Sequence, residues 1–282
     1  MVRSGFYPPD VKTPEERLSY YASRFSVAEI DSSYHFSPTR RNLALWLENT
    51  LDGFIFDVKA FSLFTQHPTP FTALPRAIRE KYGRQIHTKG NVYLHHLPEA
   101  GVNELWTIFI GVLESFRIAG KLGAVLFQFP PWFHPEPRNR DYIVSCRERL
   151  SEYYVAVEFR VGSWLDKHRE ETLQVLRKYQ IALVCVDEPQ GLKSSVPAVD
   201  DVTAPLAIIR FHGRNQENWE RKGIPPTEKF SYLYSEAELR EWVPRIRSMA
   251  EEARELHIIF KNKHVDFPVK NAMRLKELLG LT

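Results

Sequence analysis

"YVAVEFRVGSW", residues 154–164, reads as a buried β-strand that nevertheless carries two charges, Glu158 and Arg160. They stand two positions apart and so share one face of the strand. Burying a charge is costly unless it is paired, so the pair is either a structural ion pair or part of a site. The flanks decide the architecture. A helix is expected near 139–152 on one side and over "DKHREETLQVLRKYQ" (166–180) on the other, so the strand reaches its neighbours through helical crossovers, as parallel strands do.

The same alternation runs outward in both directions. Downstream come the strands "IALVCVD" (181–187) and "LAIIRFHG" (206–213), a helix over 235–255, the strand "LHIIFKN" (256–262) and a closing helix over 269–279. Upstream lie a helix over 103–121 and the strand "GAVLFQFP" (123–130), and before a long excursion the strands "FIFDVKAF" (54–61) and "VAEIDSSY" (27–34). Two helix starts are written plainly. Thr13, Pro14 and Glu16 form a capping-box pattern with proline at the first helical position, and Ser37 with Pro38 repeats the signal. Short apolar strands between amphipathic helices predict an α/β fold, a (β/α) TIM-type barrel folded as a single domain over 1–282. No glycine-rich phosphate loop follows a strand, which argues against a dinucleotide-binding sheet. Seven strands are visible where such a barrel has eight. The usual first strand is therefore expected to lie upstream, absent from this chain through truncation or a misplaced start.

Composition is that of an ordinary globular protein: 43% hydrophobic, 26% charged and a net charge of +3. That balance gives no case for a protein that coats nucleic acid. Cys146 and Cys185 lie in separate segments without zinc or disulfide spacing. There is no apolar run of about 18 residues to span a bilayer and no secretory signal core, so a cytoplasmic location with no membrane partner is expected.

Sites in such barrels form at the carboxyl ends of the strands. Every visible strand carries polar residues there: Glu29 and Asp31, Lys59, Gln128, Glu158 and Arg160, Asp187, Arg210 and His212, Lys261 and Asn262. One buried pair is a tolerable structural feature, whereas a ring of them points to a ligand. Glu29, Lys59, Glu158, Asp187 and His212 are the expected catalytic residues, and Asp31, Gln128, Arg160, Arg210 and Asn262 the expected substrate-binding ones.

The motifs "FYPPD", "AEIDSSYHF", "FDVKAF" with "QHP", "GKLGAVLFQFPPWF", "VEFRVGSW", "VDEPQG", "RFHGRN" and "NAMRLKELL" together resemble the family called domain of unknown function 72, or YecE-like, across nearly the whole chain. The resemblance implies a (β/α) barrel and no established activity. Members usually open with a strand similar to Gly-Thr-Ser-Gly-Trp, which is not found here. In "FKNKHVDF", where the family carries paired asparagines, Lys261 replaces the first.

The chemistry of these residues suggests an enzyme acting on an anionic, phosphorylated or nucleotide-like small molecule. Arg160 and Arg210 would hold the anion while Glu158 and His212 handle protons. A metal-assisted phosphodiesterase or nuclease is the first alternative, opposed by three nearby cations. A non-catalytic nucleotide or nucleic-acid binding module, stacking bases on Tyr34, Phe36, Trp132 or Trp164, is the second. Lys59 would form a Schiff base only if desolvated, and pairing with Asp31 or Glu29 is the expected alternative. The three histidines of "HTKGNVYLHHLPE" (87–99) read as a solvated loop, and "RNQENWERKG" (214–223) as a cover over the site. The sequence names no cofactor and no oligomeric state.

Overall fold

The computed structural model describes residues 5–88, 90–262 and 264–281. Among them are seven strands: β1 (Val27–Ile30), β2 (Ile55–Lys59), β3 (Leu122–Gln128), β4 (Tyr154–Glu158), β5 (Ala182–Asp187), β6 (Leu206–Phe211) and β7 (Glu255–Phe260). Strand order follows chain order, and the pairs β1–β2, β2–β3, β4–β5, β5–β6 and β6–β7 are parallel. With helices between them, this is an α/β fold of the TIM-barrel type, as the alternation predicts. The chain divides into two compact units, one made of Val11–Pro130 with Glu148–Val155 and the other of the remainder.

The first unit holds β1, β2 and β3 with helices α1 (Pro14–Ala22), α2 (Arg40–Glu48), α3 (Arg76–Tyr82) and α4 (Glu99–Ile118). Helix α1 begins as its sequence says: Glu16 N–H donates to Thr13 Oγ1 at 3.1 Å, and Thr13 N–H to Glu16 Oε2 at 2.9 Å. Helix α2 begins later than Ser37–Pro38 suggests. Thr39 is its cap, accepting from Asn42 N–H, and this satisfies a donor that would otherwise be orphaned at the helix start. "VAEIDSSY" is also only half strand. Asp31 turns helical (φ −75°, ψ −26°), and Ser33 Oγ donates to the carbonyls of Ile30 and Lys59, fastening the turn to the end of β2.

Helix α5 (Pro137–Arg149) leads to β4, and the second unit continues with α6 (Arg169–Lys178), β5, β6, α7 (Gln216–Trp219), α8 (Pro226–Lys229), α9 (Glu236–Glu252), β7 and α10 (Phe267–Leu279). Strands β5 and β6 are buried at every position, as apolar strands covered on both faces are. Helix α9 presents Leu239, Trp242, Ile246 and Met249 in a 3.6-residue stripe, and these pack with Cys185, Ala207, Ile209 and Phe211. The stretch 154–164 stops being strand at Glu158, then turns at Gly162–Trp164. Gly162 is required there, because a Cβ would meet Ser195 O and Asp166 Oδ2 at 2.8 Å.

Candidate active site

Register sorts the polar residues of the second unit onto two faces. Val186 is level with Arg210 and Asp187 with Phe211, and neighbours in register share a face. Asp187 therefore lies with Phe211 on the side that α9 covers, whereas Arg210 points the other way. Glu158 follows Val157, the partner of Leu183, and falls on Arg210's face. Position 188 is one step beyond Asp187, and there Glu188 rejoins that face.

At the carboxyl ends of β4, β5 and β6, four side chains interlock. Glu158, wholly buried, accepts from Arg210 NH1 through Oε2 and from His212 Nε2 through Oε1 at 3.0 Å. Arg160 NH1 lies 3.3 Å from Glu158 Oε1 and 3.0 Å from Glu188 Oε2, so one guanidinium nitrogen serves two carboxylates. Glu188 Oε1 accepts the N–H of Val196 at 2.8 Å. Arg160 keeps 19% of its side chain exposed while both carboxylates are buried.

The two carboxyls differ in charge state because their partners differ. Burial pushes Glu158 up, but Arg210, His212 and Arg160 together outweigh it and hold the carboxyl well below the usual range. Burial also raises Glu188, and a single guanidinium with one backbone N–H does not restore it, so it is pushed up to about 7. Burial takes His212 down to about 4 against the pull of Glu158, leaving a neutral imidazole. Lys229 is lowered by burial and then by the charge of Arg160.

The segment 214–230 covers this group. Trp219 is buried, with Arg160 5.1 Å from its ring centroid, Lys229 5.7 Å away and Phe230 edge-on at 5.6 Å. His212 lies 6.3 Å from the same ring. The stretch 214–223, expected as a cover, holds α7 and Trp219 against Arg160, and α8 with Phe230 beyond it continues the contact to His212.

Asp187 departs from its expected place among the catalytic groups. Arg214 grips it through Nε and NH2 (2.7 Å), Tyr234 OH donates at 2.6 Å and Trp242 Nε1 at 2.7 Å, all on the α9 side. Burial and then Asp187 carry the Tyr234 hydroxyl well above its ordinary range, and the hydrogen bond to Asp187 raises Arg214 further. Asn262 is likewise turned to the helices: its amide donates to Tyr232 O and Asn271 Oδ1, and Asn271 in turn pairs with the backbone of Tyr234. Gly213, at φ +89°, lets the chain pass Tyr232, whose Cβ stands 2.7 Å from where a glycine Cβ would be.

A separate polar group belongs to the first unit. Lys59 Nζ donates to Asp31 Oδ1 at 3.2 Å and Gln128 Oε1 at 3.0 Å, and lies 4.5 Å from the Tyr34 ring centroid. This is the paired lysine rather than a lone amine. His67 is taken down to about 4 by burial and then by Lys59, and burial followed by Asp31 pushes Tyr34 up to about 12. Glu29 is half-buried and level with Asp57 on β2. Asp57 Oδ1 accepts the N–H of Ala124 where the β2–β3 register shifts, so it fills the gap that a bulge leaves in the ladder.

Residues 2–282 match the family described as "Protein of unknown function DUF72". The chain belongs to the DUF72 family. It is 29% identical to the UPF0759 protein YunF of Bacillus subtilis (strain 168) over 98% of this chain and 91% of the relative. Crystal structures of similar proteins include a DUF72 family protein of Enterococcus faecalis V583, at TM-score 0.78 and 27% identity, covering 94% of this chain and 88% of that one. Another, from Thermotoga maritima MSB8, has TM-score 0.73 and 29% identity, covering 96% and 92%.

Several residues of this candidate site were not singled out individually in the sequence. Glu188 follows Asp187 directly, and counting in twos from Val184 and Val186 would have found it. Tyr234 and Trp242 give no such signal, because each meets Asp187 across a long stretch of chain, and Arg214 and Trp219 were read only as part of the cover over 214–223. Of the expected stacking residues, Trp164 is core: it stacks on Phe159 at 4.4 Å and donates to Phe133 O. Trp132 and Phe36 are exposed. Among the described residues, no cluster of three or more His, Cys, Asp or Glu side chains is placed to hold a metal ion, and no helix is long and apolar enough to cross a membrane.

Proposed function

We propose that this DUF72 chain is an enzyme acting on a small anionic, phosphorylated or nucleotide-like molecule at the carboxyl ends of β4, β5 and β6, with Arg160 as the anion anchor. The observation that carries this reading is the state of the Arg160 guanidinium. Its NH1 is fixed between Glu158 and Glu188, while its Nε and NH2 make no hydrogen bond among the described residues and the side chain stays partly open. A guanidinium held at one corner with donors left over suits an oxyanion that takes two hydrogen bonds. Lys229, lowered first by burial and then by Arg160, is a second cation close to the same guanidinium. Arg210 is fully buried on Glu158 and serves to position it.

Proton handling falls to a different residue from those expected. Glu158 is committed to three cationic or imidazole partners and His212 to Glu158, whereas Glu188 has the environment of a group that changes charge near neutrality. Arg160 and Arg210 disfavour a divalent cation beside Glu158, so the metal-assisted reading is the weaker one.

The test is a thermal-shift and calorimetric screen of phosphorylated metabolites and nucleotides against the unaltered chain and Arg160→Met. A ligand that stabilises the first and binds the second at least about tenfold more weakly is expected, in line with the loss of a charge-assisted hydrogen bond. Equal binding by both would remove Arg160 from the site. Turnover of such a ligand separates an enzyme from a binding module.

A further inference from the structure

Resting on the reading of Arg160 as an anion anchor, we propose that Glu188 is the proton carrier of this site: it takes up a proton as an anion binds to Arg160, and so presents a carboxylic acid beside the bound anion.

The geometry begins with the shared nitrogen. Arg160 NH1 already faces two carboxylates, Glu158 Oε1 at 3.3 Å and Glu188 Oε2 at 3.0 Å. An oxyanion on the remaining N–H groups of the same guanidinium is a third negative charge at one cation. Neutralising a carboxylate relieves that crowding, and the two are unequal candidates. Glu158 cannot yield, because Arg210 and His212 hold its charge from β6 as well as Arg160 from beyond β4. Glu188 has Arg160 and the Val196 N–H on its favourable side, with Glu158 and Asp187 opposing, and it titrates at about 7 even before an anion arrives. Lys229, on α8, interacts with Glu188 through its charge, and Arg214 and Arg245 line a cavity together with Glu188 and Asp187.

Protonation of Glu188 leaves the backbone anchor intact, since Oε1 can still accept from Val196 while Oε2 carries the proton. The step balances without a co-reactant. The proton comes from solvent on binding and passes to a substrate atom that has an electron pair to accept it, and the resulting carboxylate can take a proton back. This is the behaviour needed for acid–base isomerisation or elimination next to a phosphoryl group. Trp219 lies against Arg160 and Phe230 against His212, so aromatic rings flank the group that holds the anion.

Sulfate is the probe, because it does not itself titrate near neutrality. Calorimetry of the full chain with sulfate, in buffers of different ionisation enthalpy between pH 6 and 9, should show uptake approaching about one proton per sulfate above pH 7. Affinity should fall by up to about tenfold per pH unit there. Glu188→Gln should bind sulfate with neither the uptake nor the pH dependence, and Arg160→Met should not bind it. In the unaltered chain, the infrared C=O band of a protonated carboxyl should grow when sulfate is added, a readout that needs no variant to fold. Sulfate binding that depends on Arg160 but takes up no proton overturns the role of Glu188 and leaves the anion site standing. Uptake that persists in Glu188→Gln does the same. Absence of Arg160-dependent binding removes both.

Discussion

Asp187 and Glu188 are adjacent carboxylates with opposite fates. Asp187 receives donors from Arg214, Tyr234 and Trp242 and is part of the packing beneath α9. Asp187→Asn keeps the shape but breaks a buried ion pair. A loss of about 3 kcal/mol is expected in urea unfolding, at the lower end for buried pairs because Arg214 is 29% exposed. Glu188 behaves the other way. Its folded value of about 7 lies above its ordinary 4.5, so the folded chain retains a proton that the unfolded chain has lost between these two pH values. Its contribution is thus fully present below pH 4.5 and is lost as pH rises to 7, by on the order of 3 kcal/mol. His212 runs opposite. Its value of about 4 lies below the ordinary 6.5, so its contribution is lost as pH falls through that window. Stability curves of the unaltered chain and Glu188→Gln should therefore converge in favour of the variant between pH 4.5 and 7; parallel curves would show that Glu188 is ionised throughout.

At the scale of elements, caps and covers were legible to different degrees. Ser235 and Glu238 form a reciprocal capping box at the start of α9, Glu238 N–H donating to Ser235 Oγ at 3.3 Å and Ser235 N–H to Glu238 Oε2 at 2.8 Å. Ser235→Ala should cost about 1 kcal/mol, read by thermal unfolding, with the core untouched. The charged residues of that helix are not all solvated. Arg245 lies 4.1 Å from the Trp242 ring centroid and pairs with Asp200, and Glu241 pairs with Arg214. The short helices α7 and α8 depend on Trp219 for their packing. Trp219→Ala should free residues 214–230 for hydrogen exchange and cost about 3 kcal/mol, while β5 and β6 stay protected. Uniform loss of protection across the second unit would show that the segment is integral to the fold rather than a cover.

For the whole molecule, an anion that binds only the folded chain must raise its stability by mass action. At a hundred times its dissociation constant the gain is about 2.7 kcal/mol, and Arg160→Met should show none of it. The order of strands and helices was readable along most of the chain because each element is short-range in origin: apolar runs make strands, periodic stripes make helices, and caps mark their starts. Boundaries drifted where side chains reached across the fold, as Ser33 does in ending β1 against the Lys59 carbonyl. The excursion before α4 was readable only as a connection; its described residues form helix α3 and several 3-10 turns, with a bridge between Thr69 and Val92.

The sequence by itself determined the α/β alternation, the parallel pairing and the family, and it placed polar residues at the ends of the strands. Only the tertiary structure decided which face each of them takes. A strand's side chains alternate with period two, so a one-residue difference in phase moves a carboxylate from one side of the sheet to the other. Glu158 and Arg160 went to the face of Arg210 and His212, Asp187 went to the helices, and Glu188 came to Arg160. That choice follows from which side buries Phe211 and Trp242, and it is made by packing between residues far apart in the chain.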